Sequence, residues 1–346
     1  MKLLTILLGT AAAGSALAGP AGDVPTPTTK TTKRASKFQF VGVNQSGAEF
    51  GQDTLPGQLG KQYTWPAKSS IDTLIGKGMN TFRIPIMMER LIPTEMTGSI
   101  NTTYSQGLTD IVSYITGKGA YAVIDPHNFG RYYSQVITDV AGFQAWWTTT
   151  AKLFASNDKV IFDTNNEYHD MDNTLVKQLN QAAIDAIRGA GATSQYIFVE
   201  GNSWTGAWTW VSSGNGATLL SLTDPSNKLI YEMHQYLDTD GSGTHPECVS
   251  STIGSERIRE ATAWLKANGK RAVLGETAGG ANAQCIAALR GMLADMMSAN
   301  SDSSDNVWTG WLWWGGGPWW GDYMYSIEPP SGAAYQRVLP SLTPYI

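Results

Sequence analysis

The sequence predicts an α/β fold, a single (β/α)₈ barrel of the TIM type, from three observations. Eight short runs rich in β-branched and aromatic residues recur along the chain, and segments with helical apolar spacing separate them. Eight such units in about 310 residues are typical of one closed barrel. No Gly-x-Gly-x-x-Gly segment follows the first run, which argues against an open dinucleotide-binding sheet.

The eight predicted strands are Phe38–Val43, Thr81–Ile84, Tyr121–Asp125, Val160–Asp163, Tyr196–Glu200, Leu229–His234, Ala272–Gly275 and Val307–Trp314. The six predicted helices between them are Ser69–Met79, Gln106–Lys118, Gly142–Ala155, Leu175–Ala190, Ser255–Asn268 and Ile286–Ala299. Glycine adopts the left-handed conformation that closes a helix. We therefore expect helices to end at Gly78, Gly119, Gly189 and Gly269.

The first 34 residues have the composition of a targeting segment. Lys2 precedes an apolar stretch that ends in small residues at Ala18, which predicts a secretory signal peptide over residues 1–18. Residues 19–34 are rich in Pro and Thr and end in the basic pair Lys33 and Arg34. This leader is either cut at that pair or kept as a flexible tail. We assign residues 35–346 to the barrel domain and expect a secreted, extracellular protein.

The chain has only two cysteines, Cys248 and Cys285, and their separation fits no metal-binding pattern. Because secretion permits disulfides, the two are expected to form one bond, with a free buried pair as the alternative.

The composition excludes several classes of partner. There are 24 Lys and Arg against 29 Asp and Glu, for a formal charge of −5, and nucleic-acid binding needs a basic surface that this chain lacks. Beyond the leader, no apolar run reaches the ~18 residues that a membrane helix needs. The 13 Trp outnumber the 9 Phe, which favours aromatic surfaces for an uncharged ligand.

The residues that follow the predicted strands carry the candidate chemistry, because side chains at the carboxyl ends of barrel strands form the active site. Glu167 follows the fourth strand and Glu276 follows the seventh, so both can reach one mouth of the barrel. Two carboxyls that flank a bond, one protonated and one ionised, are what glycosidic cleavage requires. Other polar residues at strand ends are Arg83, His127, Asn166, His234 and Tyr236.

This arrangement resembles the clan A glycoside hydrolases, in which the two glutamates end strands four and seven. The wider motifs are similar to the fungal endo-β-1,4-glucanases of glycoside hydrolase family 5, and the similarity runs from Phe38 to Pro330. The segments that carry it are DTNNEYHDMD at 163–172, YEMHQYLD at 231–238, LGETAGG at 274–280 and WWGGGPWWGD at 313–322.

The resemblance implies roles for the matching residues. Glu167 would be the general acid/base and Glu276 the nucleophile of a retaining reaction, with the two carboxyls roughly 5–5.5 Å apart. Arg83 and Tyr236 would hydrogen-bond the nucleophile, and Asn166 the sugar 2-OH. His127 and His234 would complete the polar ring, with His234 beside the acid/base.

Aromatic residues are the predicted sugar platforms, since the apolar faces of pyranose rings pack on aromatic rings. Trp314 matches the family platform, Trp319 and Trp320 follow it closely, and Trp204 and Trp208 are candidates for the far side of the cleft. The helical patterns place Trp146, Trp147 and Trp264 in the packing of the barrel instead. Among the other acidic residues, Glu200 and Glu232 are expected to be scaffold partners, and Glu49 is left unassigned.

We therefore expect a secreted, monomeric endo-β-1,4-glucanase, a cellulase that hydrolyses β-glucan without a cofactor or metal. Two alternatives remain open at this stage. An endo-β-1,4-mannanase would use the same two glutamates, and a catalytically idle carbohydrate-binding protein would keep the scaffold alone.

Overall fold

A computed structural model describes residues 37–301 and 306–346, and these residues form a closed parallel barrel. Its strands are β1 (Phe40–Gln45), β2 (Thr81–Ile86), β3 (Tyr121–Pro126), β4 (Val160–Asp163), β5 (Tyr196–Glu200), β6 (Leu229–His234), β7 (Ala272–Thr277) and β8 (Trp308–Gly316). Each strand pairs with its neighbours in chain order, and β8 closes on β1. The predicted (β/α)₈ fold is confirmed, whereas the predicted signal peptide and leader lie outside the described residues.

Within the described residues, six long helices cover the outside of the barrel. They are α1 (Lys68–Gly76), α2 (Thr102–Gly117), α3 (Val140–Lys152), α4 (Asn173–Gly189), α5 (Ile253–Asn268) and α6 (Ala283–Ser301). Shorter helices lie at Met88–Leu91, Asn215–Leu219, Ala333–Arg337, Leu339–Leu342 and, as a 3₁₀ turn, Thr343–Tyr345. In the described part of the chain, no helix is both long and apolar enough to span a membrane.

Several helices begin earlier than the apolar spacing predicts, because their first turns are fixed by polar caps. The Asn101 side chain accepts hydrogen bonds from the Thr103 and Tyr104 backbone N–H groups at the start of α2. Asp172 caps α4 in the same way. The expectation that α4 ends at Gly189 is confirmed, although the left-handed position is taken by Gly191, with φ of 92°, rather than by Gly189.

A short hairpin, Arg131–Tyr132 with Gln135–Val136, follows β3 and was not predicted. Its strands are only two residues long, so they leave no alternating pattern in the sequence.

The barrel interior has an apolar layer beneath a polar one. The apolar layer is a buried cluster of Phe40, Val123, Ile161, Phe198, Ile230 and Val273. Side chains two residues apart on a strand share a face, and on β3 to β6 the residue two positions after the apolar one is acidic. These acidic residues are Asp125, Asp163, Glu200 and Glu232, all buried. Strand periodicity therefore builds a carboxyl ring above the apolar layer at the carboxyl end of the barrel.

The predicted disulfide is confirmed: Cys248, in the loop after β6, is bonded to Cys285 in the first turn of α6. The bond closes a loop with a sequence separation of 37 residues. It thereby fastens the β6 loop, which borders the barrel mouth, to the outer helical layer.

Replacing both cysteines by serine should lower thermal stability without changing the fold. A loop of this length is worth about 4 kcal/mol of chain entropy in the unfolded state, so Tm should fall by about 5–10 °C. Differential scanning calorimetry of the two proteins measures the change. As a control, reductant should lower the Tm of the parent protein and leave that of the double variant unchanged; an equal Tm for both proteins would contradict the prediction.

Candidate active site

A cavity of about 710 Å³ opens at the carboxyl ends of the strands. Among the residues predicted to form the site, those that line it are His127, Glu167, Trp204, Trp208, His234, Tyr236, Glu276 and Trp314. Arg83 and Asn166 are fully buried beside these residues. Trp319 and Trp320 do not line this cavity.

Arg83 is the centre of the polar layer. It projects from β2 with no exposed side-chain surface, and its guanidinium lies within 3.2 Å of five carboxyl groups. These belong to Asp125, Asp163, Glu200, Glu232 and Glu276. Burial opposes the charge on Arg83, but the surrounding carboxylates outweigh burial and hold its pKa above the ordinary value. Arg83 is therefore a fixed cation.

Glu276 reaches the cavity because the strand register shifts beside it. Met233 pairs with Leu274 but His234 pairs with Glu276, so the intervening Gly275 forms a bulge. Without the bulge, residue 275 would point into the barrel, and Glu276, as the next residue, would point out of it and away from the mouth. Gly275 also leaves room for its neighbour, because a Cβ there would lie 1.7 Å from Glu232 Oε1.

The two oxygens of Glu276 are held by different donors. Arg83 Nη1 donates to Oε1 at 2.8 Å, and the Tyr236 hydroxyl donates to Oε2 at 2.6 Å. Burial raises the pKa of Glu276, but His234, Arg83, His127 and the Tyr236 hydrogen bond outweigh burial and leave it below the ordinary value. Burial and the charge of Glu276 raise the pKa of Tyr236, so its hydroxyl stays a donor. Glu276 is therefore held ionised and in a fixed orientation.

Glu167 is held at the end of a loop that continues β4. Its backbone has a φ of 46°, in the left-handed region that non-glycine residues seldom adopt. Its Oε1 lies 2.7 Å from His234 Nδ1, and its backbone N–H donates to Glu200 Oε2 at 2.6 Å. The Glu167 side chain is 15% exposed against 4% for Glu276, so Glu167 is the carboxyl more open to the cavity.

The two glutamates face each other across His234. One carboxylate oxygen of each lies within 4.8 Å of the other, and His234 Nδ1 is 3.7 Å from Glu276 Oε2. Burial lowers the pKa of His234, but Glu276, Glu200 and the hydrogen bonds to Glu167 and Glu232 raise it well above the ordinary value. His234 is therefore a proton carrier in contact with Glu167.

Asn166 and His127 complete this polar ring. Arg83 Nη2 donates to Asn166 Oδ1 at 2.8 Å, which leaves the Asn166 amide nitrogen on the side of His127, 3.4 Å from Nε2. His127 Nδ1 lies 2.8 Å from Asp125 Oδ2. Burial lowers the pKa of His127, but Asp125 and Glu276 raise it above the ordinary value. The Asn166 amide is thereby oriented with a donor available near the cavity.

The oxygen and nitrogen atoms of Glu167, His234 and Glu276 lie close enough together to ligate a metal ion, and so do those of Glu200, Glu232 and His234. These atoms already contact one another or a donor within the cluster, and the Arg83 cation occupies its centre. The Arg83 guanidinium and the His234 ring already compensate these carboxyls, so the donor set suits proton transfer better than metal binding.

Exposed or half-buried aromatic rings extend the lining of the cavity. Trp314, at the end of β8, stacks on His127 with ring centroids 5.4 Å apart and an interplanar angle of 12°. Trp204 stacks on His169 at 4.7 Å and is 50% exposed. The Arg257 guanidinium lies 4.5 Å from the ring centroid of Trp208. These stacking contacts fix the three indoles while leaving surface for a ligand.

The other tryptophans have different surroundings. Trp320 contacts Phe50, Trp314 and Tyr323 and donates its indole N–H to the Gly316 carbonyl, while Trp319 is 39% exposed. The substrate role predicted for these two tryptophans stays a prediction. Trp146 and Trp147 are fully buried in the core, and Trp264 packs against it.

Sequence reasoning missed several residues that line the cavity. Tyr323 and Phe129 are among them, together with the loop 240–244, whose turn is held by hydrogen bonds to the Asp238 carboxylate. Only Tyr323 left a signal, because it continues the aromatic cluster after β8. Glu49 is buried outside the lining and accepts a hydrogen bond from the Gly47 N–H, and burial raises its pKa to about 7.

Comparison with known proteins agrees with this geometry. Residues 43–317 match the model of the cellulase family, glycosyl hydrolase family 5. The chain is 57% identical to a probable endo-β-1,4-glucanase B of Neosartorya fischeri and 55% identical to endo-β-1,4-glucanase B of Emericella nidulans, each over the full length of both chains.

Among solved structures, an endo-β-1,4-glucanase from Xanthomonas axonopodis pv. citri superimposes with a TM-score of 0.82 at 36% identity. The superposition covers 90% of this chain and 99% of that one. With a family match over most of its length and relatives more than 50% identical throughout, the chain belongs to glycosyl hydrolase family 5, the cellulase family.

Proposed function

We propose that this protein is an endo-β-1,4-glucanase that hydrolyses internal bonds of β-glucan chains with net retention of configuration. The observation that carries the proposal is the pair of carboxyls within 4.8 Å in the cavity, one held as an anion and one open to the ligand. Retaining glycosidases have carboxyls about 5–5.5 Å apart, whereas inverting enzymes need about 6.5–9.5 Å for a water between them.

In the first step, Glu276 attacks the anomeric carbon while Glu167 gives its proton to the glycosidic oxygen. The glycosidic C–O bond breaks, an ester forms between the sugar and Glu276, and the reducing-side chain leaves as an alcohol. Arg83 and Tyr236 hold Glu276 ionised and oriented before the attack. The Asn166 amide donates to the sugar 2-OH, a contact that strengthens in the oxocarbenium-like transition state.

In the second step, Glu167 takes a proton from a water molecule, which attacks the same carbon and breaks the ester to Glu276. Two inversions give net retention. His234, whose pKa is raised and which is hydrogen-bonded to Glu167, stabilises the carboxylate form of Glu167 that accepts this proton.

The proposed substrate is an uncharged β-1,4-glucan bound along the aromatic cleft. Trp314 would support a sugar on the nonreducing side of the cut, and Trp204 and Trp208 would support sugars on the reducing side. Two relatives that match along their full length are named as endo-β-1,4-glucanases, which favours glucan over mannan. We further propose that the protein is secreted, in keeping with the signal-like composition of residues 1–18. We also propose that it acts as a monomer.

The variant Glu276→Gln should lose activity while keeping the fold, because an amide cannot form the covalent intermediate. Reducing-end release and viscosity loss on carboxymethylcellulose and mixed-linkage glucan should fall by about 10⁴-fold or more. The matched control is Glu260→Gln, an exposed residue on α5, which should leave activity unchanged. Parallel assays on mannan test the substrate; cleavage of mannan alone would overturn the glucan assignment, and full activity of Glu276→Gln would overturn the mechanism.

The variant Tyr236→Phe should shift the acidic limb of the kcat/KM profile to higher pH. The Tyr236 hydroxyl stabilises the ionised form of Glu276, so its loss raises the Glu276 pKa and requires a higher pH to form the anion. A hydrogen bond to a charged group is worth about 1.5–3 kcal/mol, which corresponds to about one to two pH units.

The control for this profile is Tyr325→Phe. Tyr325 stacks on Tyr236, but its hydroxyl donates to the His245 carbonyl rather than to Glu276. The acidic limb of the kcat/KM profile of Tyr325→Phe should stay at the pH of the parent protein. A limb that shifts to lower pH in Tyr236→Phe, or by the same amount in both variants, would contradict the proposed role of Tyr236.

A further inference from the structure

Glu200, the last residue of β5, makes a contact that the proposed mechanism does not use. Its side chain is fully buried, and its two oxygens face different partners. Oε1 lies 3.1 Å from Arg83 Nη2, and Oε2 accepts a hydrogen bond from the Glu167 backbone N–H at 2.6 Å. One buried carboxyl therefore joins the cation that orients Glu276 to the backbone that carries Glu167.

The Glu167 backbone needs such a partner. Hydrogen bonding between β4 and β5 continues only to the Thr164 N–H, which donates to the Phe198 carbonyl. Beyond that point the loop bends so that Glu167 has a φ of 46°. A non-glycine residue in this region costs about 1–3 kcal/mol and persists only when its surroundings fix it. The Glu200 carboxyl supplies the acceptor for the backbone N–H at that residue.

Glu200 is itself rigidly placed. Its backbone carbonyl accepts from Asn180 Nδ2 on α4, and its strand pairs in register with β6 at Glu232. Because β5 is held in place, the Glu200 side chain alone can fix the position of the Glu167 backbone.

We propose that Glu200 is a positioning residue that sets the Glu167 carboxyl at protonation distance from the leaving oxygen. The proposal rests on the assignment of Glu167 as general acid. Loss of the Glu200 carboxyl leaves Glu167 chemically intact but free to leave its strained backbone conformation. Acid catalysis then weakens, while the attack by Glu276 is less affected.

Leaving-group dependence distinguishes this role from a merely structural one. A 2,4-dinitrophenyl β-cellobioside has a leaving group that departs without a proton, whereas phenyl β-cellobioside and glucan chains need the acid. We expect Glu200→Ala to lower kcat/KM for phenyl β-cellobioside by about 30- to 100-fold, since misplacement of a catalytic group by about 1 Å costs that much. For the dinitrophenyl substrate the loss should be at least about tenfold smaller, because only the support of Arg83 is weakened.

Two further variants keep the test decisive. Glu200→Gln retains an oxygen that can accept from the Glu167 N–H, so it should restore much of the phenyl activity. Glu200→Asp withdraws the carboxyl by one methylene group while keeping its charge; it replaces the Ala variant if that protein does not fold, and it should show the same leaving-group dependence.

The matched control is Asp163→Ala. Asp163 is as fully buried as Glu200, and its Oδ2 accepts hydrogen bonds from Arg83 Nε and Nη2. It makes no hydrogen bond to the Glu167 backbone. Its loss should slow both substrates by similar factors. If Glu200→Ala also slows both equally, its role is only to support Arg83 and the inference is wrong.

Glu167→Ala is the reference variant and separates this inference from the proposed function. It should lose phenyl β-cellobioside activity and keep most dinitrophenyl β-cellobioside activity. If Glu167→Ala shows no such difference, the acid/base assignment itself fails. If Glu167→Ala shows the difference between the two substrates and the Glu200 variants do not, only the positioning role of Glu200 fails.

Discussion

The buried guanidinium of Arg83 is the interaction on which the rest of the site depends. A cation without exposed surface is costly to desolvate unless carboxylates compensate it, and here five carboxyl groups lie within 3.2 Å. The same guanidinium keeps Glu276 ionised and orients Asn166, and it contacts Glu200, which holds the backbone of Glu167. Burial and repulsion from neighbouring carboxylates raise the pKa of Asp163 and Glu200, which shows how strongly these carboxyls depend on the Arg83 cation.

Strand periodicity explains how so polar a layer forms inside a protein core. The residues two positions before Asp125, Asp163, Glu200 and Glu232 belong to the apolar layer, and its burial stabilises the barrel at the other end. The polar layer is then supported from below and open only at the cavity. Function requires this unfavourable group of charges at one end, and packing at the other end offsets its cost.

Much of this could be predicted from the sequence. The eight strands, the six long helices and the meeting of Glu167 with Glu276 at one mouth follow from apolar spacing and from the position of polar residues at strand ends. Local backbone geometry could not be predicted. The bulge at Gly275 that turns Glu276 inward depends on register with β6, and the left-handed conformation of Glu167 depends on Glu200, 33 residues away. Similarly, spacing alone cannot distinguish Trp204, which lines the cavity, from Trp319, which does not, because both lie in loops.

The most direct test of the account is to trap the covalent intermediate. Incubation with 2,4-dinitrophenyl 2-deoxy-2-fluoro-β-cellobioside should inactivate the protein, because the fluorine slows both formation and hydrolysis of the ester, whereas the good leaving group speeds its formation alone. Peptide mass spectrometry should then place one fluorocellobiosyl group on Glu276. A label on a different carboxyl, such as Glu167 or Glu232, or steady turnover with no adduct and an inverted product, would contradict the role of Glu276 in the Arg83 cluster.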